Sequence, residues 1–308
     1  MADGGIRRRR VRWFEAARAV VQQTVRDDVP GLAAELAFRF FLAMFPFAIF
    51  LTALGAFIAT ELAIPDPSQR AVQLLGDLLP AEATTLVQRQ LQQVVDSQNA
   101  GLLSIGALAA VFFATGGTNA IIKAMNRAYG VRERRPLWRR YILAIVLTLF
   151  AGASVVTAFV LWVPLRILIP EILEALGLGA VATVVANVIL AVLALALVVT
   201  AASVIYRVAP NIKLPMRSVL PGAVLFAIGW LITTLGFGFY VSNFGNYANT
   251  YGALAGVAIV LLWFYFSSLI LLVAAEVNEV IHEMSDPQDV DRRRRESEAE
   301  TDREATTV

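Results

Sequence analysis

The stretch from Ser218 to Ala275 contains no Asp, Glu, Lys, Arg or His. As one helix it would run to roughly 85 Å at about 1.5 Å per residue, against a hydrocarbon core of about 30 Å. A chain with such a segment has to cross a bilayer and return. The polar interruption formed by Ser242, Asn243, Gly245, Asn246, Asn249 and Thr250 supplies the turn, so a spanning helix lies on either side of it.

The rest of the chain agrees. It is 58% hydrophobic and 16% charged, whereas an ordinary soluble domain carries about 25% charged residues. There is no Cys, which excludes disulfides and thiolate chemistry, and the single His282 leaves little material for zinc or haem. No metal and no cofactor is therefore expected.

Charge-free runs place six spans, at about 36–60, 100–122, 141–165, 178–206, 218–241 and 252–276. The expected fold class is all-α: a polytopic membrane protein, a six-transmembrane-helix bundle with amphipathic extracytoplasmic helices. Residues 1–35 read as a cytoplasmic basic arm and amphipathic helix, with Trp13 to Asp28 too polar for a cleavable signal core. Residues 61–99 read as an outer amphipathic segment, with Val72, Leu75, Leu79, Leu86, Leu91 and Val94 among Gln and acids. Residues 284–308 carry Arg292 to Arg295, then acids and Thr without apolar periodicity, and read as a disordered cytoplasmic tail.

Lys and Arg placement sets the expected direction. The segment between spans two and three holds Lys123, Arg127, Arg132, Arg134, Arg135, Arg139 and Arg140 against Glu133, and the next loop on that side holds Arg207, Lys213 and Arg217 without an acid. Under the positive-inside rule these segments and both termini are cytoplasmic.

Small residues mark where helices approach in lipid. Gly222, Gly229 and Gly236 recur every seven residues on the fifth span, and Gly252 and Gly256 form a small-xxx-small pair on the sixth. They read as a packing face, with a glycine-hinged gate as the other reading. Pro46 removes a backbone hydrogen bond inside the first span and should bend it. Ionisable groups at the membrane edge are the sharper signal. Glu35 and Arg39, spaced i, i+4, begin the first span, Lys123 ends the second and Glu276 ends the sixth. With Asn119 and Asn278 they make up the candidate substrate-binding set at the inner mouth, against the plainer reading of interfacial pairing.

Three blocks of residues resemble the YihY/BrkB family of bacterial inner-membrane proteins, formerly labelled ribonuclease BN. They are Ala34 to Pro46; Gly116-Gly117 with Asn126 to Gly130 and Arg135 to Arg139; and Tyr206 to Asn211 leading to Pro221-Gly222, Tyr251-Gly252 and Glu276 to Asn278. The resemblance covers about residues 12–283. It implies a six-helix membrane protein linked to envelope integrity and lipid or solute movement. A transporter or flippase-like role for a lipid or amphiphile is the leading expectation, a scaffold for envelope partners the alternative, and a ribonuclease the weakest, since one His cannot assemble a metal-holding nuclease centre. No enzyme activity is expected. Membrane lipids are the expected partners, with envelope proteins or a second copy as further candidates and no specific nucleic acid.

Overall fold

The computed structural model describes residues 3–61, 100–154, 180–243 and 253–285, with isolated positions at 157, 288 and 292. All regular structure among the described residues is helical: α1 (Asp3–Arg26), α2 (Val29–Glu61), α3 (Ala100–Ala128), α4 (Leu137–Ser154), α5 (Ala180–Val208), α6 (Met216–Asn243) and α7 (Ala253–Ser285). Six of them, α2 to α7, hold segments long and apolar enough to cross a membrane. The outer segment beyond Glu61, the Asn-rich turn, Gly252 and nearly all of the tail lie outside the described residues.

Local chemistry sets the helix boundaries. Between α1 and α2, Asp28 adopts φ 53°, a left-handed conformation that Asp tolerates better than most side chains. Pro30 then sits in the first turn of α2, where its missing N–H costs nothing, and the Asp28 carbonyl accepts the Leu32 N–H at 3.0 Å. The α3 helix ends at Gly130, φ 57°, with the Val131 N–H on the Asn126 carbonyl at 2.9 Å and the Gly130 N–H on that of Arg127 at 3.0 Å. That pair of bonds is a Schellman cap. On α2, Pro46 lies inside one continuous helix.

The α7 helix runs on past the charge-free segment to Ser285. Its buried stripe continues through Leu272, Glu276 and Val280, spaced i, i+4. Glu276 therefore lies within the buried face, well inside the helix end.

The chain forms two compact units, residues 39–116 and residues 1–38 with 117–308. In the smaller unit α2 and α3 approach closely: a Cβ on Gly106 would lie 3.3 Å from Ile49 Cγ2 and 3.4 Å from the Phe50 backbone nitrogen. In the larger unit α6 packs against α7 and α5, and α1 packs against α7. Its core includes Tyr129, Tyr206, Ile122, Met125 and Leu272, and the Tyr206 hydroxyl donates to the Leu271 carbonyl at 2.8 Å. Outward positions such as Val181, Val188 and Leu193 on α5 are exposed and apolar, as befits a surface solvated by lipid tails.

Candidate functional site

The most unusual side chain of the larger unit is Glu276. It has no exposed surface, and neither carboxylate oxygen has a hydrogen-bond partner among the described residues. The α1 helix packs against α7, and Glu279 lies one turn along from Glu276 on the same side of α7. Asp27, in the α1–α2 turn, and Glu279, one turn along α7, are both buried. The Arg26 Nε lies 3.4 Å from Asp27 Oδ1, but the Arg26 side chain is 65% exposed. One turn before Asp27, on the same side of α1, the Gln23 Oε1 is likewise enclosed without a partner. An ionised group in a bilayer costs about 3 kcal/mol even on the mildest scale, so a carboxyl group enclosed in this way stands out from packing.

Behind Glu276, α7 is tied to α6. The buried Asn278 Oδ1 accepts the Gly222 N–H at 2.7 Å, and the buried Ser218 Oγ lies 3.3 Å from His282 Nδ1. Further along, a Cβ on Gly229 would sit 2.8 Å from Ile270 Cγ2, and the Trp263 indole donates to Thr234 Oγ1 at 3.3 Å. Partners on α7 fall in number as those on α6 rise, so the two helices are antiparallel. Asn278 Nδ2 has no hydrogen-bond partner among the described residues.

A second polar centre joins the α3–α4 connection to the end of α5. Asn126 donates through Nδ2 to Glu133 Oε2 at 2.8 Å and accepts the Asn211 N–H on Oδ1 at 2.7 Å. Glu133 Oε1 accepts the Arg135 N–H at 3.0 Å, and the Arg135 guanidinium donates to the carbonyls of Pro210 at 2.7 Å, Ala209 at 3.1 Å and Val208 at 3.4 Å. Those carbonyls end α5 and have no intrahelical donor. The arrangement fixes two loops to each other and neutralises its own charge, which is the signature of a structural clasp.

The other residues singled out from the sequence fall in several places. Glu35 Oε2 lies 3.5 Å from Lys123 Nζ, with the lysine side chain 65% exposed. Within the smaller unit Arg39 Nη1 donates to the Gly116 carbonyl at 3.5 Å. Asn119 Oδ1 is enclosed without a hydrogen-bond partner among the described residues. Of the glycines, Gly222 and Gly229 sit at the α6–α7 contact, whereas a Cβ on Gly236 or Gly256 would meet nothing within 4 Å. Asp27, Glu279 and Gln23 escaped the sequence reading. The i, i+3 spacing of Glu276 and Glu279 could have suggested a shared face, but nothing in the sequence pairs it with α1. Among the described residues no group of three or more His, Cys, Asp or Glu is disposed to hold a metal ion.

Comparison with known proteins gives a consistent picture. The family described as "Virulence factor BrkB" matches residues 20–299. A Bacillus subtilis protein, YfkH, described as ribonuclease-like, is 35% identical over 81% of this chain and 89% of its own length. A UPF0761 membrane protein of Alkalilimnicola ehrlichii is 32% identical over 85% of this chain but only 57% of its own length. Another, of Pseudoalteromonas atlantica, is 27% identical over 87% of this chain and 88% of its own length. No solved structure matches.

Proposed function

Because this chain belongs to the BrkB family of membrane proteins, we propose that it moves a lipid or amphiphilic solute across a bacterial inner membrane, without enzymatic turnover, in support of envelope integrity. Both termini are cytoplasmic in this reading, in keeping with the basic segments around Arg134 and Arg217. The observation that carries it is Glu276, an enclosed carboxyl group without a hydrogen-bond partner among the described residues, on a helix long and apolar enough to cross a membrane. Such groups are expensive in lipid and mark substrate or ion pathways more than packing. A ribonuclease is the weakest reading, since metal-assisted phosphodiester hydrolysis wants clustered His and carboxylates and the sequence holds a single His. Purified protein free of soluble nucleases is therefore expected to leave tRNA intact in Mg²⁺ or Zn²⁺.

The close α6–α7 contact at Gly222 favours a second reading, a non-transporting scaffold that docks envelope proteins or a second copy. The test is reconstitution into vesicles carrying headgroup-labelled lipids, followed by quenching from outside. Transport predicts loss of inner-leaflet label in wild-type vesicles and its retention with Glu276→Gln. Equal protection of the inner leaflet in protein-containing and empty vesicles, with and without an imposed ion gradient, would leave the scaffold.

A further inference from the structure

The α4 helix has two unlike faces. Ala144, Leu147 and Thr148 are buried, and the Thr148 hydroxyl lies 2.7 Å from that of Thr118 on α3. On the other side Trp138, Ile142, Val146 and Leu149, at successive turns, are each more than half exposed. On a helix apolar enough to cross a membrane, such a stripe meets acyl chains. Two arginines stand at its end. The Arg139 guanidinium lies 5.0 Å from the centre of the Trp138 ring, and that of Arg140 5.9 Å from the centre of Tyr141, both within cation–π range. The Arg140 Nε is enclosed, which fixes the stem of that side chain. Among the described residues neither guanidinium meets a carboxylate or a hydrogen-bond acceptor. Both charges are positioned without being neutralised.

We propose that this face holds one anionic phospholipid, its phosphate on Arg139 and Arg140 beside Trp138 and Tyr141, its acyl chains along Ile142, Val146 and Leu149. The local charge calls for an anion. Between residues 123 and 142 the one acid, Glu133, is engaged by Asn126 Nδ2 and the Arg135 N–H. The same clasp ties this connection to residues 207–217, which bring Arg207, Lys213 and Arg217 and no acid, and Asn211 Nδ2 donates to the Arg132 carbonyl at 3.2 Å. The lengths match as well. From Trp138 to Leu149 the helix rises about 16 Å at about 1.5 Å per residue, close to half of a hydrocarbon core of about 30 Å. Chains that end near Leu149 therefore place their headgroup level with the two arginines, the depth that Trp and Tyr favour. A zwitterionic lipid brings its own ammonium to its phosphate. Phosphatidylglycerol keeps a net negative charge, which planar guanidinium groups answer with charge-assisted bonds.

The test reconstitutes full-length protein into bilayer discs of equimolar phosphatidylethanolamine and phosphatidylglycerol and reads the retained lipid by native mass spectrometry. Wild type should retain phosphatidylglycerol in preference. Arg139→Gln and Arg140→Gln should each lower that preference about fivefold, the worth of one basic residue at an anionic surface. Arg18→Gln removes an equal charge from an exposed position on α1 and should change it by less than about twofold. Arg139 is exposed, so its variant should melt with wild type and carries the test alone should Arg140→Gln fail to insert. In detergent the thermal midpoint should rise with short-chain phosphatidylglycerol and not with inorganic phosphate. A preference lost in Arg139→Gln or Arg140→Gln and kept in Arg18→Gln supports the site. Equal retention of both lipids by wild type, a loss shared by Arg18→Gln, no loss in the α4 variants, or a midpoint raised as much by inorganic phosphate overturns it. None of these outcomes touches the transport reading, which stands or falls with Glu276→Gln in the vesicle assay.

Discussion

Asn278 accepts the Gly222 N–H at 2.7 Å where α6 packs on α7, with the Ala274 carbonyl seated where a Gly222 side chain would begin. Gly222 follows Pro221, which leaves the backbone of α6 one donor short at that turn. One side-chain amide thus ties the two helices where the smallest residue admits it. Asn278 and Glu276 are two residues apart, about 200° around a helix. Holding Asn278 against α6 therefore turns Glu276 to the side of α7 away from α6. The packing contact and the direction in which Glu276 faces are set by a single rotation of α7.

Gly222→Ala should lower the thermal midpoint of the detergent-extracted protein, because the new methyl overlaps the Ala274 carbonyl and the Asn278 amide. Overpacking of this kind costs about 1–3 kcal/mol. Gly236→Ala, in open space on the same helix, should be neutral or stabilising by up to about 1 kcal/mol through helix propensity. Equal effects of the two substitutions would refute this account of the α6–α7 contact.

Arg135→Lys should loosen the clasp between the two loops. A lysine ammonium cannot span the Val208, Ala209 and Pro210 carbonyls as the guanidinium fork does. The expected loss is about 1–2 kcal/mol, with faster limited proteolysis between Gly130 and Pro136. Cleavage at wild-type rates would show that the clasp contributes nothing to loop order.

The pair between Glu35 and Lys123 should matter little to stability. At 3.5 Å and with the lysine 65% exposed, it belongs to the class of ion pairs measured at about 0–1 kcal/mol. Comparing Lys123→Gln, Glu35→Gln and the double variant in a thermal cycle gives the coupling directly. A coupling well above that range would move the pair from the interface into the working interior.

Topology is testable without background because the chain has no Cys. Cysteines introduced as Ala81→Cys and Asn246→Cys should react with a membrane-impermeant thiol reagent in intact cells, and Arg134→Cys should react only after lysis. Labelling of position 134 from outside would reverse the assigned direction.

Taken alone, the amino-acid sequence determined that this chain is a helical membrane protein, because apolar runs of spanning length have one stable solution in lipid. Six helices of that length and apolarity stand among the described residues. Glycine spacing drew attention to α6, yet only tertiary structure separates Gly222 and Gly229, at the contact, from Gly236, facing open space. Identical residues at identical spacing differ only in what lies opposite. The same limit applies to Glu276. Its place at the end of a charge-free run was visible, but its enclosure depends on α7 continuing to Ser285 and on α1, from the far end of the chain, packing against α7. Periodicity records which face of a helix avoids water. It carries no record of which distant helix will cover that face, and it is this covering that left a carboxylate enclosed without a donor.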